Sequence, residues 1–149
     1  MQEFRAREFP LSVCIVDMDW HTTQTGNRSV GWTGYTWNRD LFPDPARVIA
    51  WLHAQGLHTA LNLHPADGVH PHEEQYAAMA AAVGIDPATG EPVEFDSVDP
   101  RFVEAYFKFL HHPQEEMGQE ETEFLEETRF LGNGVDFWWL DWQQGKQSK

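Results

Sequence analysis

Three short hydrophobic runs along the chain predict buried β-strands. The first is LSVCIVDMD, residues 11–19, a continuous apolar run rich in β-branched residues and closed by acids, in which we place a strand at residues 11–17. The second is HTALNLHP, with a strand at residues 59–63, and the third covers residues 135–140. Continuous rather than alternating apolar positions are typical of strands covered on both faces, as in parallel sheets.

A well-delimited helix is predicted between the first two strands. In PDPARVIAWLHAQGL, Asp44 is the N-cap, Pro45 takes the first helical position, and Gly56 lies just past the end. Strand, helix and strand in this order make a βαβ unit, whose right-handed crossover makes the two strands parallel. The carboxyl ends of the strands then meet at one edge of the sheet.

Further helical patterns precede the third strand. The alanine-rich residues 71–85 predict a short helix that stops at Gly84, with acids in its first turn. Residues 99–113 predict a longer helix opened by Asp-Pro, whose aromatic face we expect to pack on the sheet. The acidic residues 117–131 are interpreted as a solvated amphipathic helix or a mobile excursion.

The fold class that follows is α/β, with parallel strands and crossover helices. Three strands of these lengths close neither a barrel nor a typical doubly wound sheet. We therefore expect residues 1–149 to be a fragment of a single larger domain.

Composition narrows the range of partners. The 149 residues are 41% hydrophobic, enough for a sizeable core, and carry a formal net charge of −14. With no basic cluster, the chain should be repelled by nucleic acids and anionic membranes, so neither is expected as a partner. No secretory leader or bilayer-spanning run is evident, and the single Cys14 is expected to be a small buried residue.

Acidic residues follow the predicted strand ends. Asp17 and Asp19 close the first strand, and Asp141 closes the third, in the stretch GVDFWWLDWQQG. In parallel α/β barrels the catalytic groups project from the carboxyl ends of strands. Indole rings pack on pyranose rings while carboxylates bind hydroxyls or attack the anomeric carbon, so this stretch favours a sugar-cleaving site.

Four motifs resemble the catalytic (β/α)8 TIM barrel of glycoside hydrolase family 31, the α-glucosidase and α-xylosidase family. These are VCIVDMDWH, GYTWNRDLFPDP, LNLHP and DFWWLDWQQG, in the order of that family and at about its spacing. The resemblance covers residues 9–145 and implies a partial barrel of about strands two to four. It implies a retaining α-glycosidase that acts on an oligosaccharide or glycoside and needs no cofactor.

The resemblance also implies roles for individual residues. Asp141 corresponds to the catalytic nucleophile, and Asp17 to the acid that binds sugar hydroxyls. Met18 and Trp139 occupy the positions of neighbouring substrate contacts, while Asp19 is a candidate for supporting the sugar site. The family's acid/base lies on a later strand, and no residue here corresponds to it, so the fragment alone is expected to be inactive.

Two departures from the family put the identity of the sugar in doubt. The nucleophile is followed by Trp142, Gln143 and Gln144, where the family often has Met-Asn-Glu. The second strand ends in His64-Pro65 rather than Asp-Pro or Asn-Pro. His64 is nevertheless included among the candidate substrate-binding residues.

Two other functions remain open from the sequence. His64, His70 and His72, followed by Glu73 and Glu74, are residue types that bind zinc and similar ions, which would allow a metal-dependent hydrolase. Alternatively, the aromatic edge binds glycans without cleaving them, and the aromatic residues of the first long loop are candidate sugar platforms: Trp20, Trp32, Tyr35 and Trp37.

Overall fold

The computed structural model describes residues 1–25, 31–117 and 134–141, which form a three-stranded parallel sheet. The strands are β1 (Val13–Val16), β2 (His58–Leu63) and β3 (Phe137–Leu140), in the order β1-β2-β3. Both pairings are parallel, which confirms the predicted topology. Almost all of the predicted acidic helix, and the residues after Asp141, lie outside the described part of the chain.

Helices connect and flank the strands. Their bounds are α1 Gln2–Ala6, α2 Pro45–Ala54, α3 Tyr76–Val83, α4 Pro100–Tyr106 and α5 His112–Glu115, with 3₁₀ turns at Met18–Trp20, Pro65–Asp67 and Pro87–Thr89. The predicted caps are confirmed: the Asp44 side chain accepts the Arg47 N–H at 3.0 Å, and Gly84 ends α3 with a left-handed φ of 86°. These local signals were sufficient because capping involves only a few neighbouring residues.

A π-helical turn, Phe107–His111, joins α4 to α5. Pro113 in α5 has no N–H to donate to the carbonyl of residue 109, and its ring crowds that carbonyl. A wider turn relieves this crowding, which is why one long predicted helix is interrupted in the structure.

The prediction for the first strand was wrong in extent and burial. Strand β1 has only four residues, and Val13 and Ile15 are exposed rather than covered on both faces. Asp19 lies in the 3₁₀ turn after the strand, so it does not share a strand face with Asp17. The chain turns here because Trp20 is fully buried and donates its indole N–H to the Asn62 carbonyl at 2.7 Å.

Two helix predictions and the start of the third strand also need correction. Glu73 and Glu74 precede α3 instead of occupying its first turn, because α3 starts at Tyr76. The aromatic face of α4 packs mainly on α3 and on Phe95 rather than directly on the sheet. The third strand begins at Phe137, two residues later than predicted.

One continuous core lies on the helical side of the sheet. Leu61, Leu63 and the half-buried Trp138 face this side. The buried side chains packed with them come from the helices, the first long loop and the segment after β2: Trp20, Tyr35, Trp37, Ile49, Val69, Tyr76, Met79, Phe102, Tyr106 and Leu110. Burial of these large side chains orders the loop and the helices on one face of the sheet. No helix in the described ranges is long and apolar enough to cross a bilayer.

Candidate functional site

The register of the sheet determines which side chains share a face. Asn62 of β2 lies level with Trp139 of β3, and Ala60 lies between Ile15 and Phe137. Because side chains alternate along each strand, all of these project on the side opposite the helices. We call this the inner face of the sheet.

Asp17 and Asp141 lie at the carboxyl edge of this inner face. Asp17 follows Val16 with extended backbone, and the Asp141 N–H continues the ladder by donating to the Leu63 carbonyl at 3.0 Å. Each residue therefore projects on the same side as the strand residue two positions before it. They are separated by β2, a spacing of about 10 Å between strands β1 and β3, which leaves room for a sugar ring.

The two carboxylates have different local environments. Asp17 is exposed, and its Oδ1 accepts the Met18 N–H at 2.7 Å, so it caps the 3₁₀ turn in which Met18 is half-buried and Asp19 is exposed. The Asp141 side chain is 35% exposed, and its Oδ2 lies 3.7 Å from Nε2 of His64. The structure therefore brings Asp17, Asp141 and His64 to one edge and leaves Asp19 on the adjoining turn.

The inner face also carries an indole and a buried amide. Trp139 is 41% exposed and lies level with Asn62, which is fully buried. Among the described residues, neither amide atom of Asn62 has a hydrogen-bond partner. Unpaired buried polar atoms are costly in a folded chain, so the Asn62 amide has hydrogen-bonding capacity left for a water molecule or a ligand. Trp138 points the other way and donates its indole N–H to Glu115 at 2.8 Å.

His64 is held rigidly beside Asp141. Its ring is 3% exposed and makes an edge contact with Trp32, with ring centroids 5.1 Å apart. Its backbone carbonyl accepts the Thr33 hydroxyl, and the same hydroxyl oxygen accepts the Asp67 N–H at 3.2 Å. The first long loop thus anchors the end of β2 that carries His64.

A buried glutamate holds that loop in place. The Glu73 side chain accepts the backbone N–H groups of Tyr35 and Thr36 and the Thr36 hydroxyl, at 2.6–3.2 Å. His21, fully buried in the same loop, touches the carbonyls of Thr22 and Trp32 at 3.2 Å, and burial lowers its pKa. Glu73 is therefore a structural anchor for the loop.

The predicted aromatic platforms are mostly wrong. Trp20, Tyr35 and Trp37 are 0–5% exposed and belong to the core, because the loop folds back between the sheet and the helices. A His21–Trp37 backbone bridge closes this loop. Only Trp32 of the four, at 38% exposure, presents a ring surface near the site.

The histidine cluster does not assemble a metal centre within the described ranges. There, no three His, Cys, Asp or Glu side chains come together in a way that would hold an ion. His70 and His72 stack on each other with ring centroids 6.0 Å apart, and His72 pairs with Glu73 at 3.1 Å. His64 instead faces Asp141, so this geometry does not favour the metal-dependent alternative.

A second aspartate–histidine group lies at the opposite, amino edge of the sheet. Asp136 accepts from His53 at 2.8 Å, from His58 at 3.1 Å and from the Thr59 N–H at 2.6 Å. Partial burial alone would raise the pKa of Asp136, but these hydrogen bonds outweigh it and hold the pKa below its usual value. Asp136 thus ties α2, β2 and the start of β3 together.

Sequence reasoning missed two residues that shape the site, Asn62 and Thr33, and it proposed Trp32 as a sugar platform without predicting its contact with His64. A polar Asn62 inside the apolar run ALNL was a usable signal, since buried strands rarely carry an amide without a reason. Thr33 and Trp32 gave no local signal, because their contacts with His64 span about thirty residues of chain.

The comparison with known families identifies the fold. The family model described as "Glycosyl hydrolases family 31 TIM-barrel domain" matches residues 1–148. It confirms the expected partial α/β barrel, to which the parallel sheet and its helices correspond. No curated protein matches the chain significantly.

Proposed function

Because this chain belongs to glycoside hydrolase family 31, we propose that it carries the nucleophile, Asp141, and a sugar-binding acid, Asp17, of a retaining α-glycosidase. One oxygen of Asp141 attacks the anomeric carbon as the bond to the leaving oxygen breaks and that oxygen takes a proton from a separate acid. Water then hydrolyses the glycosyl ester, releasing the sugar and restoring the carboxylate. Net retention of configuration follows from the two inversions.

One observation carries this proposal. Asp17, Trp139 and Asp141 share the inner face at the carboxyl edge of a parallel sheet, where barrel enzymes place their catalytic groups. In this arrangement Asp141 reaches the anomeric carbon of a bound sugar, Asp17 accepts from its hydroxyls, and the half-exposed Trp139 indole packs on its apolar C–H groups. Asp19 and Met18 shape the adjoining turn.

The proposal places the acid/base on a part of the catalytic domain outside these 149 residues. The exposed apolar side chains of the inner face, Val13, Ile15, Phe137 and Trp139, support this, since a closed barrel covers such residues. The chain purified alone should therefore lack activity on natural glycosides. It should also bind a hydrophobic dye and elute larger than a monomer.

The test uses the full-length protein. Aryl α-glycosides of glucose, xylose, galactose and N-acetylgalactosamine identify the sugar, and NMR of the first product formed reports its anomeric configuration. A sugar-mimicking epoxide that traps retaining nucleophiles should then modify Asp141, as located by mass spectrometry of the digested protein, with Asp136 as the unmodified internal control. An inverted product, or a label on another carboxylate, would overturn the assignment. Sugar binding without hydrolysis of any substrate would favour a glycan-binding role instead.

A further inference from the structure

His64 is a buried titratable side chain that faces the proposed nucleophile. Its Nε2 faces Asp141 Oδ2 at 3.7 Å, and its ring is 3% exposed. Three contacts restrain it: the Thr33 hydroxyl donates to its carbonyl, the Trp32 ring packs on its imidazole, and its backbone directly follows strand β2. This imidazole is therefore preorganised relative to the carboxylate.

We propose that His64 is a positioning residue that donates its Nε2–H to Oδ2 of Asp141, which leaves Oδ1 as the oxygen that attacks the anomeric carbon. This inference rests on the proposed function of Asp141. In a retaining mechanism one carboxylate oxygen forms the ester and the other remains a carbonyl oxygen, so a donor fixed on one oxygen selects the other as nucleophile. His64 itself touches no reacting atom.

The burial of the other ring nitrogen indicates where the hydrogen resides. In the described structure, Nδ1 of His64 is buried with no hydrogen-bond partner. A hydrogen on Nδ1 would leave an unsatisfied buried N–H, whereas a bare lone pair there is less costly. The Nε2–H tautomer, which points at Asp141, is accordingly favoured.

The distance of 3.7 Å is longer than a formed hydrogen bond. Hydrogen bonds within catalytic groups are often long in the unliganded enzyme and tighten when the substrate is bound. A bound sugar that excludes water from the 35% exposed side chain of Asp141 would favour this contact over solvation of Oδ2. The contact is therefore expected to be strongest in the substrate complex, before the ester forms, because a carboxylate oxygen accepts more strongly than an ester carbonyl oxygen.

The experiment compares His64→Leu, which removes the donor, with His64→Gln, whose amide N–H can replace Nε2–H. In the full-length protein, the rate of covalent labelling of Asp141 by the sugar-mimicking epoxide should fall about 100-fold in His64→Leu, the loss expected when a reacting group is misplaced by about 1 Å. His64→Gln should stay within about tenfold of wild type. His58→Leu, at the other edge of the sheet, is the matched control and should label at the wild-type rate.

Two outcomes would overturn the positioning role while leaving the nucleophile in place. One is labelling of Asp141 in His64→Leu at the wild-type rate; the other is an equal loss in folded His64→Leu and His64→Gln, which would make the role one of packing. Failure of Asp141 to be labelled in the wild-type protein would instead overturn the proposed function itself, and this inference with it.

A measurement on the unsubstituted protein covers the case in which His64→Leu does not fold. With ¹⁵N-labelled histidine, the Nε2 resonance of His64 should move when Asp141 is esterified by the epoxide, and those of His53 and His58 should not. An unchanged His64 resonance would contradict the proposed hydrogen bond.

Discussion

Strand β3 has an aspartate at each end, Asp136 and Asp141, and each lies beside a histidine in or near strand β2. The two aspartates differ in burial and in their distances to these histidines. Asp136, at the amino edge, accepts three hydrogen bonds of 2.6–3.1 Å and is 11% exposed. Asp141, at the carboxyl edge, lies 3.7 Å from His64 and is 35% exposed. Because the two residues are five positions apart, they also project on opposite faces of the sheet.

This difference separates a structural carboxylate from one suited to chemistry. Asp136 uses its oxygens on the protein's own donors, so its negative charge stabilises the fold and is not accessible to a ligand. Asp141 retains access to solvent and faces the buried imidazole of His64, whose Nδ1 has no hydrogen-bond partner within the described structure. The same pair of residue types therefore occurs in two settings that differ in burial and in distance, and the proposed function assigns chemistry to the more open one.

The largest effect that would test this contrast is on turnover. In the full-length protein, Asp141→Asn should lower the hydrolysis rate on the order of 10³-fold or more, because an amide cannot form the glycosyl ester. Its unfolding free energy should change by about 1 kcal/mol or less, as expected for a substitution that keeps the shape of a partly exposed side chain. Asp136→Asn is the matched control and should retain most of the turnover. Similar activity losses in both variants would show that Asp136 and Asp141 do not differ in their importance for turnover.

The acid sensitivity of folding provides the next test, and a fourth histidine near β3, His111, dominates it. Burial lowers the pKa of His111 from 6.5 to about 4, and its ring packs against Trp138 at 4.4 Å between centroids. Between pH 6.5 and about 4 the unfolded chain binds a proton that the folded chain does not. Stability is therefore complete above pH 6.5 and is lost as the pH falls, by about 3 kcal/mol over this window.

His111→Phe should remove this dependence while keeping an aromatic ring against Trp138. Chemical denaturation of both proteins at pH 7 and pH 4.5 measures the difference in slope. His112→Phe, at an exposed neighbour whose charge lowers the pKa of His111 less than burial does, is the control and should keep most of the wild-type slope. A steep slope that persisted in His111→Phe would locate the acid sensitivity elsewhere.

How far the sequence predicts this structure depends on the range of each interaction. Strand β2 was placed well because Gly56 and Pro65 delimit a continuous apolar run, and α2 because Asp44 and Pro45 begin it. These signals act over a few residues. The extent of β1 was wrong, because an apolar run does not reveal that Trp20 will bury itself and bend the chain into a 3₁₀ turn.

The site shows the same division. Asp141 stands out locally as an acid at the end of an aromatic strand, and Asp17 as an acid closing an apolar one. The meeting of His64 with Asp141 depends on the β2–β3 register, which is set across more than seventy residues of chain. The buried loop aromatics were mispredicted because nothing local distinguishes an exposed indole from one that a returning loop packs into the core.

A smaller effect should follow removal of the Asp136 charge. Asp136→Asn keeps the shape of the side chain but replaces one acceptor oxygen by an NH₂ group. That group cannot accept hydrogen bonds from His53 or Thr59, which should cost about 2 kcal/mol of local stability. Hydrogen–deuterium exchange of the peptide containing Thr59 should then accelerate about 30-fold, since 1.4 kcal/mol corresponds to tenfold. Because the pKa of Asp136 is lowered, its contribution is complete above pH 3.8 and is lost as the pH falls further, so the variant should be less acid-sensitive in that range. An unchanged exchange rate at Thr59 would show that the hydrogen bonds of Asp136 contribute no net stability.

The smallest expected effect is that of metal removal. In the described residues the histidines nearest the carboxyl edge are engaged with protein groups: His64 faces Asp141, and His72 pairs with Glu73 at 3.1 Å. Treating the full-length protein with EDTA should therefore leave the hydrolysis rate unchanged. His70→Ala, which removes one ring of the stacked His70–His72 pair without touching Glu73, should likewise leave turnover within about twofold of wild type, as expected for a side chain remote from the nucleophile. A different result would be activity that EDTA removes, that added zinc restores, and that His70→Ala lacks. It would mean that the carboxyl edge assembles a metal centre when substrate is bound. The contrast between a structural amino edge and a metal-free carboxyl edge would then not hold.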